Sequence, residues 1–317
     1  WHRGKFHVPA VWVDADPRHD PCGIDMAKVK AGIRRMLKEQ PRNRLLAHHA
    51  KTCALEYGCP NACNLFLGRW EAPVAVSEGC NASCRGCISA RTSTTIQPPQ
   101  ERIDFTPTVD EIAGLAVPHL EKNGKVMVSF GQGCEGEPLL KGNLIEAAIR
   151  EIRRNTGRGT IHLNTNGSRP EVVEKLIRAG LDSIRVSMNS AREKLYSAYY
   201  RCRGYSFKDV ARTLEISRRG EIWTSINYLS FPGVTDDFGE YRSFRKLLMK
   251  TRPDMIQWRN LNADPDIYME LVKSVFPLKS PDLIGMKRLM GIVKSEFPGI
   301  RQGYFNPYCE TAGRGVG

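Results

Sequence analysis

The sequence predicts an α/β protein built on a parallel sheet, and two observations carry this. From residue 73 onward six short β-type segments alternate with helical ones, an order that demands parallel pairing through right-handed crossovers. The chemically unusual residues then fall directly after β segments: EGCNASCRGC, GQGCEGEP, NTNG and SMNS follow the first four. Ligands gather at the C-terminal ends of the strands in a doubly wound sheet and in an open barrel alike, so this placement fits either architecture.

The elements read in order as follows. PVAVSEG (73–79) is the first strand, and TPTVDEIAGLAVPHLEKNG is its helix, with Thr108 and Glu111 spaced as a capping box. KVMVSFG (125–131) is the second strand, and LIEAAIREIRRNTG is a helix stopped by Gly157. TIHLNTNG (160–167) is the third, with RPEVVEKLIRAG closed by Gly180. DSIRVSMN (182–189) is the fourth, followed by helical AREKLYSAYY and SFKDVARTLEISRRG. EIWTSINYL (221–229) and DMIQWRNL (254–261) are the fifth and sixth, followed by helical DFGEYRSFRKLLMKT and PDLIGMKRLMGIVKSEF. Upstream, residues 24–40 space Ile24, Val29, Ile33 and Met36 on one helical face. NRLLAHHAKTCALEYG continues as helix into CPNACNLFLGRW. The expected organisation is an N-terminal, cysteine-containing helical extension (1–70), a core (71–262) and a C-terminal helical extension (263–317).

The 317 residues are 41% hydrophobic, the composition of a globular chain. No apolar run approaches the roughly 18 residues of a membrane helix, and the first twenty residues lack an apolar core of signal-peptide length. The formal net charge of +13 favours an anionic partner: a small molecule, RNA or an acidic peptide. Lys28, Lys30, Arg34, Arg35, Lys38, Arg42, Arg44 and Lys51 concentrate that charge, as a solvated helix face or as an anion-binding one. Of ten cysteines, six fall between positions 53 and 87. Clustering of this kind in an enzyme-sized chain points to metal in a reducing compartment, hence the cytoplasm, rather than to a disulfide scaffold.

Cys80, Cys84 and Cys87 are spaced C-x3-C-x2-C. Zinc sites usually close four ligands with C-x2-C pairs, and iron–sulfur clusters commonly take four thiolates. Three thiolates without a fourth can hold a cubane and leave one iron open for an exogenous ligand. An open metal position marks a reactive site rather than a structural one.

This loop, after the first strand of a six-fold β/α repeat, resembles that of the radical S-adenosylmethionine (radical SAM) superfamily. The resemblance covers roughly residues 73–262 and implies a partial (β/α)6 TIM-like barrel. It implies a [4Fe-4S] cluster on Cys80, Cys84 and Cys87 that binds and reduces SAM to a 5′-deoxyadenosyl radical, which abstracts hydrogen from substrate. A low-potential flavodoxin or ferredoxin is implied as electron donor. Gly136, Glu137 and Pro138 are similar to the family's strand-two motif, facing the SAM ammonium. By the same resemblance Asn166, in LNTNGS, joins the SAM site. Ser187 and Asn189 meet the carboxylate or ribose, Arg201 pairs the carboxylate, and Asn227 lies near adenine or ribose. Two departures stand out: Gly86 replaces the aromatic residue usual before the third cysteine, and Glu135, preceded by Cys134, replaces a second glycine.

A further set, Cys53, Cys59 and Cys63, is spaced C-x5-C-x3-C. A second iron–sulfur cluster, zinc, or buried reduced thiols all fit it, with Cys22 or Cys309 as a possible fourth ligand. The layout is similar to lipoyl synthase, where the second cluster donates sulfur. Three functions compete: hydrogen abstraction leading to oxidation, rearrangement or bond formation; sulfur insertion; and RNA modification or non-enzymatic nucleic-acid binding. Cys134 and Cys202 stand alone in the sequence, and Cys134 falls near the expected pocket.

Overall fold

The computed structural model describes Gly4 and residues 23–89, 99–122, 125–276 and 282–309. Among the described residues the first elements are α1 (Met26–Glu39), α2 (Arg44–His48), a π-helix (His49–Glu56) and α3 (Pro60–Leu67). The strands are β1 (Glu71–Val74), β2 (Met127–Phe130), β3 (Thr160–Thr165), β4 (Ser183–Met188), β5 (Trp223–Ser230), β6 (Met255–Asn260) and β7 (Arg301–Gly303). Between them run α4 (Val109–Leu120), α5 (Gly142–Asn155), α6 (Pro170–Ala179), α7 (Glu193–Tyr200), α8 (Phe207–Arg219), α9 (Phe238–Thr251), α10 (Pro265–Val275) and α11 (Met286–Glu296).

All seven strands are parallel and lie in chain order, β1 through β7, leaving β1 and β7 as the edges of an open β/α barrel. Alternation along the strands separates two environments. Ile161, Leu163, Ile184, Val186, Met188 and Ile226 are buried on the face that packs against the helices. His162, Asn164, Arg185, Ser187, Ser225, Asn227 and Gln257 occupy the intervening positions, so the opposite face is polar. That face is the lumen.

The helices supply the outer layer. The Thr108–Glu111 capping box starts α4 as expected. Ile145, Ala148, Ile149 and Ile152 give α5 its apolar stripe, and Val173, Leu176 and Ala179 give α6 its own. Gly180 closes α6 in the left-handed conformation. Helix α5 ends one residue earlier than expected, with Thr156 rather than Gly157 at its cap. The C-terminal segment is not wholly helical. Arg301–Gly303 pairs with β6 as a seventh strand, and α10 starts at Pro265, capped by the carboxylate of Asp264.

The N-terminal extension docks on the β1 edge, with α1 against α3 and α3 against β1. Val29 and Ile33 are buried, whereas the eight basic residues from Lys28 to Lys51 are all exposed, as a solvated helix face would leave them. Arg44 has a dedicated role: its guanidinium binds both oxygens of Glu111 at 2.8 Å, tying α2 to the start of α4. This contact and the Thr108 amide hold the Glu111 carboxyl down at about 2. A depressed carboxylate adds stability that is present above its unfolded value near 4.5 and is lost as pH falls toward 2. The urea midpoints of wild type and Glu111→Gln are therefore expected to differ above pH 4.5 and to converge between there and about 2. An unchanging gap over that range would contradict the assignment. Among the described residues, no helix is long and apolar enough to cross a membrane.

Candidate functional site

A cavity of about 710 Å³ opens at the C-terminal ends of the strands, and Cys80, Cys84 and Cys87 line it together. The cysteine loop is held from several directions. Ser83 and Arg85 amides donate to the carbonyls of Tyr200 and Tyr199 at the end of α7, and Arg203 donates to the Cys80 carbonyl at 2.7 Å. Asn81 joins Ser168 and Asn166 beyond β3. Gly136 donates to the Ser77 carbonyl, and a Cβ there would stand 1.8 Å from the Gly79 oxygen, so the two loops approach as only glycine permits.

The three thiols face one another electrostatically. Burial, then the neighbouring Cys87 and Cys80, push the Cys84 thiol well above its ordinary value. Burial also raises Cys80. At Cys87 burial is outweighed by hydrogen bonds from Ser89 and Arg102, so this thiol lies below its ordinary value and ionises first. A loop of three soft ligands, two of which resist ionisation and the third of which has a cation beside it, suits a positively charged metal body that takes the protons' place. On the chemistry of the donor set, the residues fit an iron–sulfur cluster.

Of the expected SAM contacts, Gly136, Glu137, Pro138, Asn166, Ser187 and Asn227 line the same cavity. Asn227 donates to Ser187 at 3.0 Å and leaves its own buried oxygen without a partner. Two expected residues lie elsewhere. Asn189 is buried and donates to Tyr268 on α10, outside the cavity lining. Arg201 is the exposed left-handed cap of α7 and also lies outside it.

The two glutamates act as staples between strand ends. Glu137 accepts from Thr165, from the Asn166 amide and from the Leu139 amide. Glu135 accepts from four amides, those of Val76, Ser77, Gly131 and Gln132. Burial pushes the carboxyls up, to about 7 for Glu137 and about 8 for Glu135, against these donors, which favour the ionised forms. Glu135 thus does structural work where the family pattern has glycine.

The sequence reading missed the cations of the lumen. Arg185 on β4 and Arg259 on β6 line the main cavity and also a second cavity of about 500 Å³. This second cavity opens between the sheet edges and is bordered by Cys59, Asn61, Glu71 and the Tyr304–Asn306 segment. Arg185 donates to Gln257 at 3.2 Å, and the Arg259 guanidinium lies 4.2 Å from the Tyr304 ring centre. The Nε atoms of both are buried without partners, and among the described residues neither guanidinium is in an ion pair. Burial and the Arg259 charge bring Arg185 down to about 9. The signal in the sequence was polar alternation within strands of a sheet that a plain parallel core would fill with apolar runs.

The second set of cysteines lies at the seam between extension and barrel. Cys53 and Cys63 are buried and Cys59 half-buried. Cys22 lies outside the described residues. The Thr160 hydroxyl, at the start of β3 and the opposite end of the strands from the cavity, donates to the Cys309 carbonyl and accepts from the Cys309 amide. Among the described residues no three ligating groups converge tightly enough for a single ion, in either cysteine set.

Known proteins give a consistent frame. The chain is 29% identical over 161 residues to the AdoMet-dependent heme synthase of Methanosarcina barkeri, a match covering 50% of this chain and 40% of that protein. It is 25% identical over 171 residues to the uncharacterized protein MJ0103 of Methanocaldococcus jannaschii, covering 50% of this chain and 37% of the other. The chain thus spans less than half the length of these curated relatives. A radical SAM methyltransferase from Sphaerobacter thermophilus shares the fold, with a TM-score of 0.50 and 15% identity over 74% of this chain and 65% of that one. The sequence pattern of the Radical SAM superfamily matches residues 74–244. That stretch runs from the end of β1 into α9 and takes in the cysteine loop and five of the strand ends, so the chain belongs to the radical SAM superfamily, enzymes that cleave S-adenosylmethionine at an iron–sulfur cluster.

Proposed function

We propose that this enzyme abstracts hydrogen from an anionic substrate held inside the barrel by Arg185 and Arg259. The pair of unpaired, enclosed guanidiniums carries the reading. Arg259 adds to burial in lowering the basicity of Arg185, an anion between the two like charges would stabilise both, and a guanidinium offers a carboxylate or phosphate a two-pronged contact. Cys80, Cys84 and Cys87 would hold the cluster, and Gly136, Pro138, Asn166, Ser187 and Asn227 the SAM. When bound, the cluster and SAM supply a 5′-deoxyadenosyl radical. The unpartnered oxygen of Asn227 is set to accept from a ribose hydroxyl, and Glu137 places negative potential near the SAM ammonium. Arg185 lies two residues below Ser187 on β4, roughly 6–7 Å deeper in the barrel. A substrate anchored there lies below the SAM layer, screened from bulk water by the barrel wall.

The electron donor in this reading is a low-potential flavodoxin or ferredoxin in a reducing, cytoplasmic setting, and Cys53, Cys59 and Cys63 hold a second cluster. Sulfur insertion is the second reading, favoured by one observation: Cys59 borders the cavity that Arg185 and Arg259 also line. A product free of sulfur would remove it.

Anion binding is tested by thermal unfolding in citrate and in phosphate. Near tenfold saturation the wild type is expected to melt about 2–4 °C higher, and the Arg185→Met, Arg259→Met double variant to show no shift. Equal shifts in both proteins would overturn the assignment.

A further inference from the structure

We propose that Cys134 is the fourth ligand of an iron–sulfur cluster held by Cys53, Cys59 and Cys63, so that this cluster is closed entirely by protein thiolates. The inference rests on the second-cluster reading above and deepens it.

Cys134 lies in the loop after β2, far along the chain from the extension, yet the fold delivers it to the same place. Asn61, between Cys59 and Cys63, donates to Gln132 at 3.4 Å, two residues before Cys134, and Cys53 is the first neighbour that acts on the buried Cys134 thiol. The backbone draws the set together: the Cys59 amide donates to the Cys53 carbonyl at 2.8 Å, and the Cys63 amide to the Cys59 carbonyl at 2.9 Å. Cys53, Cys63 and Cys134 retain 2%, 1% and 7% of their surface, so three of the four thiols are sealed from solvent.

Local structure is shaped for ligation rather than for filling space. Cys53 sits in the π-helix, a rare geometry frequent at functional sites. Cys59 is the N-cap residue of α3, ahead of Pro60, and a helix N-terminus is a position that favours a thiolate. Among the described residues no three ligating groups converge on one point, which speaks against a single zinc ion here. Cys309, at the far end of β3, is excluded as the fourth ligand by position. With four thiolates no iron is left open for substrate, which separates this site from the three-cysteine loop.

The test starts from the protein carrying Cys80→Ala, Cys84→Ala and Cys87→Ala, anaerobically reconstituted. It should keep about four irons and four sulfides per chain. Adding Cys134→Ala should cut iron to about three or fewer, and adding Cys134→Ser, which preserves packing, should shift the electron paramagnetic resonance signal of the reduced cluster. Adding Cys309→Ala should do neither. Absence of iron in the starting protein, zinc in its place, or a Cys53–Cys134 disulfide in the anaerobic protein would defeat the second cluster itself. Four irons with an unaltered signal in both Cys134 variants would defeat only the assignment of Cys134. Circular dichroism of each variant separates cluster loss from unfolding.

Discussion

Cys84→Ala is expected to eliminate 5′-deoxyadenosine production from SAM under reducing conditions, a loss of at least about three orders of magnitude, or ~4 kcal/mol of barrier. Cys84 is the middle thiol of the loop, and both neighbours act on it electrostatically. The loop itself is set by contacts that do not involve its sulfur, namely the amides of Ser83 and Arg85 bound to α7. The variant should therefore fold and keep its secondary structure while losing the absorbance of one cluster. Retained 5′-deoxyadenosine production would show that the reductive step does not depend on this loop. A Cys202→Ala control should retain activity, because Cys202 does not line the cavity.

The second large effect is expected at Gly86, where the family usually carries an aromatic residue. A Cβ at this position would stand 1.8 Å from the Asn262 carbonyl oxygen and 2.7 Å from the Tyr199 hydroxyl. The first obstacle is backbone and cannot rotate aside. The space an aromatic side chain would use is therefore taken by Tyr199 and by the segment after β6. Gly86→Ala should displace the loop between Cys84 and Cys87, cost about 1–3 kcal/mol of stability, and lower SAM cleavage by about 10²-fold through misplaced ligands. Gly86→Phe should be worse, although it restores the family pattern. Wild-type activity in Gly86→Phe would mean that the Asn262 segment moves away in solution.

Both expectations combine a motif with a contact that no motif contains, and the same division runs through the whole chain. Alternation of strand and helix, the Thr108 capping box and the Gly180 stop were legible because each depends on residues a few positions apart. The strand β7 was not, since three residues carry no usable periodicity and its pairing with β6 is purely tertiary. The π-helix was hidden for a similar reason: its residues also suit an α-helix, and only their surroundings select the wider turn.

The same holds for the site. The cysteine loop and most of the cavity wall were readable, because ligands collect at strand ends and the strand ends could be recognised. Arg201 and Asn189 were expected at that wall, but the backbone places Arg201 at an exposed helix cap and turns Asn189 to Tyr268. The cations that do enter the barrel, Arg185 and Arg259, sit inside strands whose inward face is decided by register and sheet curvature.

The sequence by itself determined the parallel α/β order, the three-thiol loop and the membership of a radical SAM superfamily, since local spacing and succession are written along the chain. Only the tertiary structure decided which side chains share a space. Burial of the outer faces of the strands under helices leaves the other face as a polar lumen, which brings Arg185 to Arg259. The packing of the extension on the β1 edge brings Cys134 to Cys53. Both meetings join residues tens of positions apart, and distances of that kind are set by chain topology and core burial rather than by neighbours in sequence.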